Sequence, residues 1–180
     1  LSSGCICCVV RGDLVRGLRE LLSDKSALDG ILIETTGLAN PSPVIQTMVV
    51  DQVIAAQCRL DSVVCVVDAV NIFAQLADGA DAAHQIAFSD YIVLNKTNDA
   101  IASLDGIENR IRKLNPFAPI TRANQSNVPA SEVLSRNGFD LHQIEARLAP
   151  VLVSHHHNHI DSSGITSVSL TCDEPLDART

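Results

Sequence analysis

Ser62-Val63-Val64-Cys65-Val66-Val67-Asp68 and Tyr91-Ile92-Val93-Leu94-Asn95 decide the fold. Each is an apolar run that finishes in a polar residue. A strand apolar on both sides is buried on both sides, the habit of parallel sheets covered by helices. Helical periodicity surrounds both runs. Residues 71–88 read as helix, and Ile101, Leu104, Ile107, Ile111 and Leu114 mark another that stops at Asn115-Pro116. Earlier in the chain, Asp13 is expected to cap a helix carrying Leu14, Leu18, Leu21 and Leu22 to about Ser23. Gly30 precedes a short buried strand, Ile31-Leu32-Ile33-Glu34. A loop to Pro43 and a helical stretch to about Gln57 follow it. Pro119-Ile120-Thr121 reads as a short fourth strand, with weaker helices near 131–136 and 141–148. The expected class is α/β, a mostly parallel sheet with helices on both faces.

Residues 1–149 are expected to form this domain. Residues 150–164, rich in Ser, His, Asp and Gly, read as a His-rich linker. Residues 165–171 alternate apolar and polar, so 165–180 read as the beginning of a second, α+β domain. The chain opens Leu1-Ser2-Ser3 without Met and is expected to be a piece of a longer protein, cut at both ends.

Composition narrows the classes. With 46% apolar and 19% charged residues the chain has a globular balance. Its 13 Lys+Arg against 21 Asp+Glu give a net charge of −8, which argues against nucleic acid as partner. No apolar run reaches the roughly 18 residues of a membrane span, so no membrane partner is expected. Three of six cysteines crowd into residues 5–8, whereas a secreted disulfide framework would spread them. A reduced interior follows, with cytoplasm the expected compartment and an organelle left open.

Three strands end in Glu34, Asp68 and Asn95. Ligands of open parallel sheets bind outside the carboxyl ends of the strands. Each polar residue could instead cap the next helix, and Asp68-Ala69-Val70-Asn71 opens one. In Glu34-Thr35-Thr36-Gly37 the carboxylate can hold a magnesium-bound water. Gly37 can bring its N–H to a terminal phosphate with no Cβ in the way, or simply make a turn. Asn95-Lys96-Thr97-Asn98-Asp99 follows the pattern N-K-x-D by which many GTPases hold guanine, with Asn98 at the fourth position and Asp99 one later. No Gly-Lys-[Ser/Thr] occurs: the lysines are Lys25, Lys96 and Lys113, and none follows a Gly.

Cys5, Cys7 and Cys8 offer soft ligands within a tight bend, suited to zinc or copper(I). Reduced cysteines in a turn, or a redox pair, are the alternatives. His155, His156, His157 and His159 could gather metal or belong to a solvated linker. His84 and His142 read as structural.

Together these segments resemble the CobW family of metal-handling P-loop GTPases, which are zinc-chaperone-like. The resemblance lies in Ser3-Gly4-Cys5-Ile6-Cys7-Cys8, Asp13-Leu14, Glu34-Thr35-Thr36-Gly37-Leu38-Ala39-Asn40-Pro41 and Pro43-Val44-Ile45. Val66-Val67-Asp68-Ala69, Asn95-Lys96-Thr97 and the His-rich linker continue it. It implies a P-loop NTPase sheet whose first strand, P-loop and first switch lie ahead of Leu1. It also implies GTP hydrolysis with Mg2+, and a metal, most often zinc (Zn2+), bound at the C-x-C-C motif and delivered to a client metalloprotein. On this resemblance Glu34 and Gly37 are catalytic, in the Walker B and second-switch region. Asn95 and Lys96 hold the base, with Asn98 and Asp99 beside them, and Cys5, Cys7 and Cys8 hold the cargo. Asn98 departs from the family's Asp. Lacking the Walker A loop, the 180-residue chain is expected not to hydrolyse GTP alone. Homo-oligomerisation stays open. Two competitors are a nucleotide-independent zinc-binding or storage module and a dithiol redox protein.

Overall fold

The computed structural model of the chain describes residues 6–23, 28–37 and 39–139, with residues 6–11 described as helical backbone. Its centre is a parallel sheet of β1 (Val64–Asp68), β2 (Tyr91–Asn95) and β3 (Ile120–Arg122), in that spatial order. Register pairs Cys65 with Ile92 and Asp68 with Asn95, so two of the polar strand ends lie side by side. β2 is buried along its whole length, as its unbroken apolar run requires.

Between β1 and β2 run α4 (Ile72–Asp78) and α5 (Asp81–Ala87), and between β2 and β3 runs α6 (Leu104–Leu114). All three cover one sheet face. There Cys65, Val67, Ile92 and Leu94 pack with Ile72, Ile86, Ile107 and Ile111. The other face carries Tyr91, Val93 and Ala123, with Val128 and Val133 against them; Val133 belongs to α7 (Ala130–Val133). Burial pushes the Cys65 thiol up to about 12, so it stays protonated and serves packing.

Before the sheet come α1 (Ile6–Ser23), α2 (Ser42–Val50) and α3 (Gln52–Gln57). They pack on one another through Leu18, Met48 and Ile54. Ile45 of α2 meets Phe88, the residue after α5, and so ties this unit to the sheet layer.

Several expectations are corrected. α1 begins at Ile6, well before Asp13, so the backbone at Cys7 and Cys8 is helical and the expected tight bend is absent there. Asp13, inside the helix, pairs with Arg16 one turn on at 2.6 Å. Ile31–Glu34 is not a strand: it has no ladder partner among the described residues, and Leu32 is 88% exposed. Ile31 and Ile33 still pack against the α1–α3 cluster. The single helix expected to Gln57 is two, because Asp51 takes extended geometry and accepts from the Val53 and Ile54 N–H groups at 3.1 Å each. The stretch 71–88 also divides, at Gly79-Ala80. Ile101 lies outside α6, fully exposed. The helix near 141–148, the linker and the start of a further domain fall outside the described residues.

Candidate functional site

β1 and β2 deliver Asp68 and Asn95 to one edge of the sheet, and the loops leaving those ends build the site. Asp68 does not cap α4; Asn71 occupies that position. One Asp68 oxygen accepts from the Val70 N–H at 2.9 Å. The other accepts from the Asn71 amide at 3.0 Å and from the Lys96 ammonium at 2.7 Å. Burial pushes the Asp68 carboxyl up; Lys96, Asn71 and the Val70 N–H outweigh it and hold it below the usual carboxylate range.

Lys96 adopts φ 59, the left-handed region, which turns the chain sharply after β2. The Asn95 amide is engaged at both ends: it donates to Ser126 Oγ at 3.0 Å and accepts from the Ser126 N–H at 2.9 Å. Its work is to lash the loop after β2 to the loop after β3. Asn124 adds a second lashing by accepting from the Asn98 N–H at 2.8 Å. Asn98 and Asp99 remain exposed. The loop after β2 thus presents exposed acceptors on Asn98 and Asp99, next in the chain to a Lys96 whose ammonium is tethered to Asp68.

Glu34 and Gly37 form a second group. Both are exposed, and a Cβ added at Gly37 would meet nothing within 4 Å. The turn closes with the Ala39 N–H on the Thr36 carbonyl at 3.0 Å. Gln85 of α5 reaches across to donate to the Gly37 and Ala39 carbonyls at 2.9 and 3.0 Å. Asn40 then accepts from the Ser42 N–H at 2.9 Å and starts α2.

Of the metal candidates, Cys7 and Cys8 lie in the first turn of α1, while Cys5 and His155, His156, His157 and His159 fall outside the described residues. Among the described residues no group of three or more His, Cys, Asp or Glu could hold a metal. Nor is any helix among them long and apolar enough to cross a membrane. His84 sits on α5 and His142 is outside the described residues.

Sequence reasoning passed over Gln85, Asn124 and Ser126. The polar run Asn124-Gln125-Ser126-Asn127, one residue past a strand, was the available signal for two of them. Gln85 gave none, being one polar position on a short helix.

Residues 1–122 match the CobW/HypB/UreG nucleotide-binding domain. The chain is 36% identical over 143 residues to Zinc-regulated GTPase metalloprotein activator 1 of Schizosaccharomyces pombe, covering 77% of this chain and 34% of that protein. It is 30% identical over 181 residues to Zinc chaperone YjiA of Escherichia coli, covering 98% of this chain and 56% of that protein. The crystal structure of Zn(II)-bound YjiA GTPase from E. coli superposes with a TM-score of 0.60 at 30% identity, over 71% of this chain and 39% of that chain. The chain thus spans 34% and 56% of the length of these two curated relatives. With a parallel sheet whose polar strand ends converge, and a domain match over two-thirds of its length, the chain belongs to the CobW/HypB/UreG family of nucleotide-binding domains.

Proposed function

We propose that the intact protein containing this chain is a GTP-dependent zinc metallochaperone, passing the ion to a client metalloprotein in the cytoplasm. The observation that carries this is continuity: the Gly37–Ala39 turn runs through Asn40 into α2, and α2 packs on α1 through Met48 and Leu18. α1 has Cys7 and Cys8 in its first turn. A shift of the turn therefore has a packed route to the helix that bears the thiols. A second tie is the Arg19–Asp51 pair at 2.8 Å, which joins α1 to the α2–α3 junction.

Each residue then has a task. Lys96, tethered by Asp68, lays its stem along the base, and Asn95 keeps the loop in place. Asn98 and Asp99 face the base edge. Gly37 presents its N–H to the terminal phosphate, and Glu34 holds a magnesium-bound water. Bound GTP with Mg2+ supplies the phosphate whose loss changes the turn's contacts. Cys5, Cys7 and Cys8 hold zinc as thiolates, with the His155–His159 tract gathering the ion nearby. Residues 1–149 form the nucleotide domain, 150–164 the linker and 165–180 the start of the next domain.

The test is zinc affinity of the intact protein with a non-hydrolysable GTP analogue, with GDP and empty. A difference between the states is expected. Equal affinities in all three would favour a nucleotide-independent zinc store.

A further inference from the structure

Among the described residues, the Gly37 and Ala39 carbonyls of the turn are held from outside by one side chain. Gln85 donates both N–H groups of its amide, one to the Gly37 carbonyl at 2.9 Å and one to the Ala39 carbonyl at 3.0 Å. Both partners are main-chain carbonyls, which only accept, so chemistry fixes the amide with its nitrogen toward the turn. Gln85 itself stands on a firm base. Asn115, buried at the end of α6, donates to the Ile86 and Ser89 carbonyls at 2.8 Å each and clamps the end of α5. Ile86 and Phe88 on either side of that clamp are buried. The turn, by contrast, is exposed from Glu34 to Gly37. A fixed helix thus grips an exposed loop through two neutral hydrogen bonds, each worth little net because water competes for the same carbonyls. Such bonds can be made and broken as the loop changes state.

We propose that Gln85 is the positioning residue for Gly37: it sets the turn that meets the terminal phosphate and senses its loss. This rests on the nucleotide-dependent function proposed above. The phosphate met by Gly37 is present in GTP and missing from GDP. Gln85 should therefore matter for GTP and hardly for GDP, whereas a purely structural glutamine would affect both alike.

The test uses the intact protein with Gln85→Glu and Gln85→Ala. Glutamate has the same length, but its carboxylate only accepts and would oppose two carbonyl oxygens. Expected for Gln85→Glu is a fall of about tenfold in GTP-analogue affinity and in GTP turnover, the loss of two neutral hydrogen bonds. GDP affinity and the thermal midpoint should stay near wild type, and Gln85→Ala should show the same GTP-selective loss. If both variants bind GTP analogue and turn over GTP like wild type, the positioning role is wrong. Equal losses for GTP and GDP with a lowered thermal midpoint would also overturn it, leaving a structural glutamine. If the wild-type protein binds neither nucleotide, the proposed function itself falls and takes this role with it.

Discussion

On the proposed reading, Asn98 puts an amide where a carboxylate would accept from two guanine N–H groups. Its oxygen can take one of them; its NH2 meets the other donor to donor. The side chain is exposed while the main-chain N–H of Asn98 is pinned by the Asn124 side-chain oxygen, so the loop is fixed and the amide points into solvent where a base would lie on this reading. Asn98→Asp in the intact protein should therefore raise GTP affinity by about tenfold or more, since a good bidentate contact discriminates by roughly 1–3 kcal/mol. Unchanged affinity on nucleotide titration would hand base recognition to another group, with Asp99 the nearest. Asp68 acts one step back. Its partner Lys96 is 51% exposed, so the pair adds little stability and its effect is placement. Asp68→Asn should weaken GTP and GDP binding alike, because both share the base; selective loss of one would refute the placement. The sign with pH follows from the lowered carboxyl. What the Asp68 pair adds is complete above the ordinary carboxylate range and is lost as pH falls through the lowered value. Whatever small difference in denaturation separates wild type from Asp68→Asn should close only below about pH 4; closure nearer neutrality would place the ionisation elsewhere.

Among the elements, β2 was legible residue for residue because an unbroken four-residue apolar run between polar ends, Asp90 and Asn95, reads as a buried strand. The buried side of α6 was equally plain from Ile107 and Ile111, and its end from Asn115-Pro116. Ile31–Glu34 misled because a strand is a pairing, and pairing depends on residues far away in the chain. Asp51 misled because one side chain, accepting from two N–H groups, breaks an otherwise continuous helical pattern. The site was legible as segments and not as contacts. Asn95 and Lys96 stood out by motif, but that Asn95 is spent on Ser126, and that Gln85 grips the Gly37 turn, are facts of tertiary placement. Asn115 shows how much one such residue can hold. It donates to two carbonyls of the α5 end and accepts from the Phe117 and Ala118 N–H groups, all from a 1% exposed position. Asn115→Ala strands buried carbonyls and should cost about 2–4 kcal/mol, measured by urea denaturation of the intact protein. A loss under about 1 kcal/mol would mean that water replaces the amide.

At the scale of the whole molecule, the proposed cargo and nucleotide sites would draw on two packed units. Leu18, Met48 and Ile54 knit the α1–α3 unit, and Ile45 against Phe88 joins it to the sheet layer. The net charge of −8 suits cation cargo better than anionic polymers. Yet the 180 residues contain no Gly-Lys-[Ser/Thr], so they offer no lysine and backbone cradle for phosphates. Gating needs that cradle, whereas zinc binding needs only thiolates. Separating the two gives the most demanding test. The purified 180-residue chain should bind zinc through Cys5, Cys7 and Cys8, losing it on substitution of all three by Ser. Its zinc affinity should be the same with and without GTP, and phosphate release from GTP should match buffer. The intact protein, by contrast, should change its zinc affinity with the nucleotide supplied. Nucleotide-dependent zinc binding by the short chain would mean that phosphates are sensed without a P-loop, and the route from Gly37 through α2 to α1 would have to start from a different contact.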